Sequence, residues 1–105
     1  MKIVFANDAL RNECNNQDIL IKRHGANTAR LVRQRLDELF NAEVLADMRS
    51  MPHVTFLEGA GSALALEVGL RLHLVFRPAH AEGGDGAWDW KKVDSIVVMG
   101  LVRPR

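Results

Sequence analysis

A chain of 105 residues, 48% hydrophobic and 26% charged, has the balance of one soluble globular domain and not of a disordered tail. The formal net charge is only +1, so no global polycation argues for nucleic-acid binding and any such case rests on local clustering. A lone Cys14 excludes an internal disulfide framework and fits a reducing cytosol, and no apolar run reaches the ~20 residues of a membrane span.

The opening Met1-Lys-Ile-Val-Phe-Ala is too short an apolar stretch for a signal peptide, so a soluble, cytoplasmic protein is expected. Lys2 to Phe5 reads as a short strand. Asn7 or Asp8 can cap the helix that follows, because a side-chain oxygen there satisfies an orphan amide of the first turn. The helical signal through Leu10, Cys14, Ile19 and Lys22 is weak, since Asn15-Asn16 interrupts it, and His24-Gly25 supplies a stop. A second helix from about Asn27 to Phe40 is the clearest element. Ala29, Val32, Leu36, Leu39 and Phe40 recur on one face, with Arg33 and Asp37 as an i,i+4 pair elsewhere. A short helical turn over Ala42 to Met51 carries Val44, Leu45, Met48 and Met51 before Pro52 ends it.

From His53 onward the pattern turns to β. Val54 to Leu57, Ala63 to Val68 and Arg71 to Arg77 read as strands separated by glycine-containing turns. The last alternates Leu72, Leu74 and Phe76 against Arg71, His73, Val75 and Arg77, the period of a sheet with one covered face. Pro78 to Ala87 reads as a loop centred on Gly83-Gly-Asp-Gly, and Val93 to Val102 as a nearly all-apolar strand, central in the sheet. The expected class is α+β: one domain, with an antiparallel sheet of four to five strands and two N-terminal helices packed on one face.

Residue by residue, function competes with plainer roles. Lys22, Arg23, Arg30, Arg33 and Arg35 place five cations within fourteen residues, either a track for a phosphate backbone or acidic partner, or a solvated helix face. His73 alternating with leucines is a partly exposed sheet residue or a proton carrier. Arg71 and Arg77 are solvated or paired with Glu67 across strands, and Arg103 and Arg105 form a charged end. His24 suits a helix C-terminus. No two of His24, His53, His73 and His80 have metal-ligand spacing, so neither a metal nor a cofactor is expected. Trp88 and Trp90 either stack bases or anchor a loop to the sheet. Cys14 reads as a small core residue.

Several stretches together resemble a known family. The helix end Arg33-Gln-Arg-Leu-Asp-Glu-Leu is followed by Asn41-Ala-Glu-Val-Leu-Ala-Asp-Met-Arg-Ser-Met-Pro. Then come Leu72-His-Leu-Val-Phe-Arg-Pro-Ala and Gly86-Ala-Trp-Asp-Trp-Lys-Lys-Val-Asp-Ser-Ile. This co-linear set is similar to the RelE/ParE toxin superfamily, most closely the HigB-like plasmid maintenance killer proteins. The resemblance implies a RelE-like fold, the toxin role in a type II toxin–antitoxin system, and metal-independent cleavage of messenger RNA on the ribosome. It also implies a helix-turn-helix antitoxin encoded by an adjacent gene.

The family's active positions have changed. Its His falls at Thr55, with Leu57 and Gly59 keeping register, and its basic turn is Gly59-Ala-Gly-Ser-Ala. The Arg of its fourth strand falls at His73, and its C-terminal Asp-Tyr-His at Arg103-Pro-Arg. Cleavage by a 2′-hydroxyl needs a proton acceptor, a proton donor and a cation for the phosphate. The candidates left are His73, Arg71 and Arg105 for catalysis, with Lys22, Arg23, Arg30, Arg33, Arg77 and Arg103 for RNA. A non-catalytic interaction protein of the same fold is the alternative, as in the gyrase-poisoning ParE branch.

Overall fold

Short polar side chains decide where the helices begin and end. In a computed structural model that describes residues 1–58, 63–69, 72–79 and 89–103, strand β1 (Lys2–Phe5) leads into helix α1 (Asp8–Asn15). Asn7 is the cap, its side chain accepting the Leu10 amide at 2.8 Å. Asn16 closes α1 and opens α2 (Gln17–His24), accepting the amides of Asp18 and Ile19 at 3.0 and 3.3 Å. The single weak helix expected here is therefore two. An asparagine that bonds its own downstream amides competes with the through-going helix ladder and turns the chain. Gly25, at φ 86°, ends α2 and admits α3 (Ala26–Asn41), a conformation strained for any residue with a Cβ.

Helix α3 buries Ala29, Val32, Leu36 and Leu39, as its periodicity predicts. Phe40 departs from the expectation, at 65% exposed. It stands 100° around from Leu39, beyond the buried stripe, and Arg35 occupies the place in that stripe. The next helix, α4 (Ala46–Arg49), is shorter than expected, yet Leu45 and Met48 are fully buried. The Leu45 amide donates to the Val93 carbonyl at 2.8 Å, pinning this turn to the segment that leads into the last strand.

The sheet runs β1-β5-β4-β3-β2, with β2 (Phe56–Glu58), β3 (Leu64–Val68), β4 (Leu72–Pro78) and β5 (Ser95–Val102). It is mixed rather than antiparallel, because β1 pairs parallel to β5 while the other pairs are antiparallel. Strand β5 is interior, but the middle position belongs to β4. In β4, Leu72, Leu74, Phe76 and Pro78 are buried and His73, Val75 and Arg77 take the other face, as the alternation predicts. Strand β5 changes parity partway. Val98 pairs with Phe76 and Gly100 with Val75, so Met99 is an extra residue that returns Leu101 to the covered face.

The core lies between α1–α3 and that face: Leu20, Val32, Leu36 and Leu39 against Leu66, Leu74, Phe76 and Ile96. Burying each such side chain contributes about 1.5–3 kcal/mol relative to exposure. The opposite face carries Val4, Leu57, Ala65, Val75, Val97, Met99 and Val102 beside Lys2, Thr55, Glu67, His73 and Arg77, all exposed or half-buried. Of these, Val4, Leu57, Met99 and Val102 are at least 36% exposed, so this face is open and largely apolar.

Candidate functional site

At one end of the open face a carboxylate and an imidazole stand together. The Glu67 amide donates to the Thr55 carbonyl at 3.0 Å, Glu67 lies opposite His73, and His73 lies opposite Val102. Thr55, Glu67, His73 and Val102 thus form one row across four strands spaced ~4.8 Å apart. Among the described residues neither Glu67 nor His73 makes a side-chain hydrogen bond or ion pair. A directly opposite pair stands with Cβ atoms ~5 Å apart. The row thus sets a carboxylate beside an imidazole on the open face, with no other side-chain partner for either among the described residues.

The cations expected to assist His73 are placed elsewhere. Arg77 shares the face but lies four residues along β4, opposite Val97, and so ~13 Å away. Its guanidinium donates to the Pro78 carbonyl at 3.3 Å. Arg71 and Arg105 lie outside the described residues. Arg103 reaches the helical layer, where its Nη2 donates to the Arg23 carbonyl at 2.6 Å. An arginine there satisfies a carbonyl at the end of α2 and complements the helix dipole.

The basic run of α2 and α3 is divided likewise. Lys22 is exposed, and Arg30 donates to the Asn27 side chain at 3.2 Å. Arg23 pairs with Glu13 at 2.7 Å, Arg33 with Asp37 at 2.9 Å, and Arg35 with Glu38 at 2.6 Å. Three of the five cations in the run are neutralised locally, and Arg35 faces the interior. The i,i+4 pairing of Arg33 with Asp37 is as the sequence predicts.

His24 ends α2 with Nε2 3.1 Å from Glu13 Oε2, a clasp between α1 and α2. Its Nδ1 is buried without a partner among the described residues. The Nε2–H tautomer is assigned on that basis, since a buried lone pair costs less than a buried unpaired N–H. Sequence reasoning missed a larger network. Glu38 accepts from Arg35 Nη1 through one oxygen and meets His53 Nε2 with the other, both at 2.6 Å. Burial pushes the Glu38 carboxyl up, but bonds and charge from His53 and Arg35 hold it below its ordinary value. The i,i+3 spacing of Arg35 and Glu38 was a readable signal; His53, fifteen residues beyond Glu38, was not.

Of the tryptophans, Trp90 is half-buried, with Phe56 edge-on at 5.2 Å and the Arg49 guanidinium 4.4 Å from its ring. Its ring anchors the segment before β5 to the core side. Trp88, His80 and Gly83-Gly-Asp-Gly lie outside the described residues. Cys14 is fully buried, and burial, then the charge of Glu13, raises its thiol to about 11 despite Arg33. Among the described residues no helix is long and apolar enough to cross a membrane, and no group of three or more metal-ligating side chains gathers.

No family model, no curated protein and no solved structure matches this chain.

Proposed function

We propose that this chain is a RelE/ParE-type protein, HigB-like, serving as the toxin component of a type II toxin–antitoxin system, and that its open sheet face binds a target without cleaving it. One observation carries the reading. Thr55 and His73, two of the positions onto which the resemblance maps its chemistry, fall in one row with Val102, the neighbour of Arg103. That register brings residues distant in sequence onto one row of the open face, which supports the reading. Among the described residues the chemistry at that row is incomplete, because Arg23, Arg33, Arg35, Arg77 and Arg103 are tied to carboxylates or carbonyls away from His73. Within that set no cation stands at the row to steady a pentacovalent phosphate.

The partner in this reading is a helix-turn-helix antitoxin encoded by the adjacent gene, and the target is the ribosome with its messenger RNA or another macromolecule. Co-expression tests it. Growth arrest relieved by the adjacent product, and co-purification of the two proteins, are expected. Normal growth without a complex overturns it.

A second reading, the metal-independent endoribonuclease, is favoured by the cross-strand Glu67–His73 couple alone. A carboxylate beside an imidazole is a proton-transfer pair. If it operates, His73→Ala and Glu67→Gln each abolish RNA cleavage while leaving antitoxin binding intact.

A further inference from the structure

Strand β1 is an edge strand, and among the described residues no strand pairs with its outer edge, beside which Arg11 and Asn15 of α1 line a cavity. Its Lys2 amide donates to Asp94 at 3.0 Å, and the Ala6 amide after it to Val98 at 2.9 Å, both toward β5. In a parallel ladder alternate residues face the partner strand, so Lys2 and Val4 are spent on β5 while Ile3 and Phe5 turn their N–H and C=O groups outward. Edge strands are commonly guarded by shortness, by charge, especially Lys, by proline or by a bulge. Strand β1 is four residues long and begins with Lys2, but Ile3-Val4-Phe5 carries no charge and no proline.

We propose that this edge is the interface between two copies of the chain, with β1 pairing antiparallel to its counterpart across a two-fold axis at Val4. Ile3 then faces Phe5 of the other copy, and Phe5 faces Ile3. Each is a hydrogen-bonded pair that exchanges both N–H···O bonds, so the outward groups are satisfied reciprocally. Lys2 is exposed at one end of the edge, and Asp8, its side chain 86% exposed and paired with Arg11 at 2.8 Å, stands just past the other. The two-fold brings Lys2 of each copy toward Asp8 of the other, where it competes with Arg11.

The apolar surface agrees. Val4, 41% exposed, meets Val4 of the other copy on the open face. On the helical side, Phe40 sits beside the Met1 end, where its carbonyl accepts the chain's terminal amine at 2.8 Å. The axis carries its ring, 65% exposed, toward the Phe5 end of the other copy. Ile3, Phe5, Leu36 and Phe40, with the Arg33–Asp37 pair, line a cavity there of ≈ 380 Å³. A net charge of +1 leaves little repulsion between copies. The product is one continuous sheet whose two open faces form a single surface.

Sedimentation equilibrium of the full chain tests this. A concentration-dependent dimer is expected, with Ile3 and Phe5 amides exchanging more slowly in the dimer than in the monomer. Val4→Lys sets like charges face to face and gives a monomer. Lys2→Glu weakens association about tenfold at low salt, and the double variant Lys2→Glu/Asp8→Lys recovers it. Circular dichroism confirms that each variant is folded. A wild type that stays monomeric at all concentrations overturns the proposal, as does a dimer indifferent to Val4→Lys. So does an edge occupied instead by a strand of the adjacent gene's product.

Discussion

Glu38 is the residue on which the helical layer and the loop before β2 both depend. It satisfies Arg35, which is 8% exposed, and meets His53 from that loop. Removing its charge leaves a guanidinium in an interior position without a counter-ion. Glu38→Gln should cost about 2 kcal/mol, the scale of a hydrogen bond to a charged group, and a urea midpoint at pH 7 measures it. The sign of the pH dependence follows from its lowered carboxyl. A depressed carboxylate adds stability above its unfolded value, near 4.5, and that stability is lost as pH falls through the lower folded value. Wild type should therefore lose part of its midpoint as pH falls below 4.5, and Glu38→Gln should lose less of it. Cys14 gives a second test at this scale. A fully buried thiol raised to about 11 stays protonated at neutral pH. It should resist a thiol reagent in the native protein and react stoichiometrically in guanidinium. Native-state labelling would mean that α1 opens readily.

Two short signals set the elements of the N-terminal half, and they were legible to different degrees. Asn15-Asn16 stood out as an interruption, but not as a double cap, because capping depends on which carbonyl and amides the chain presents after it turns. Asn16→Ala should remove the bonds to Asp18 and Ile19 at a cost of about 1 kcal/mol. Gly25→Ala meets no neighbouring atom, so its cost is the backbone strain of φ 86° alone, about 1–3 kcal/mol. Thermal melting separates the two from a wild-type control. The alternation of β4 and the apolar face of α3 were readable because each is a local period. Phe40 and Arg35 were not, since a helix stripe of finite width admits either neighbour. The parallel partner of β1 was illegible for a different reason. Lys2 meets Ser95 only after the whole chain has folded between them. The extra Met99 was visible only as the three-residue step from Val98 to Leu101.

At the scale of the molecule, helices cover one side of the sheet and a polar row ends the other. The row joins Thr55, Glu67, His73 and Val102, of which His73 alone was singled out by residue chemistry, while Thr55 entered only through the family resemblance. The dispersal of the arginines could not be read, because a run of cations in sequence says nothing of the carboxylates that folding brings to it. Glu13 reaches Arg23 from ten residues away, and Arg103 reaches the Arg23 carbonyl from eighty. The proposal of binding without cleavage rests on this open, apolar face and on the lack, among the described residues, of a cation at the row. Primer extension on cellular messenger RNA after induced expression tests that claim most directly, with growth followed in the same culture. The account predicts arrest, relieved by the adjacent gene, with no discrete cleavage sites. Discrete sites that vanish in His73→Ala would contradict it and place a working nuclease on this face.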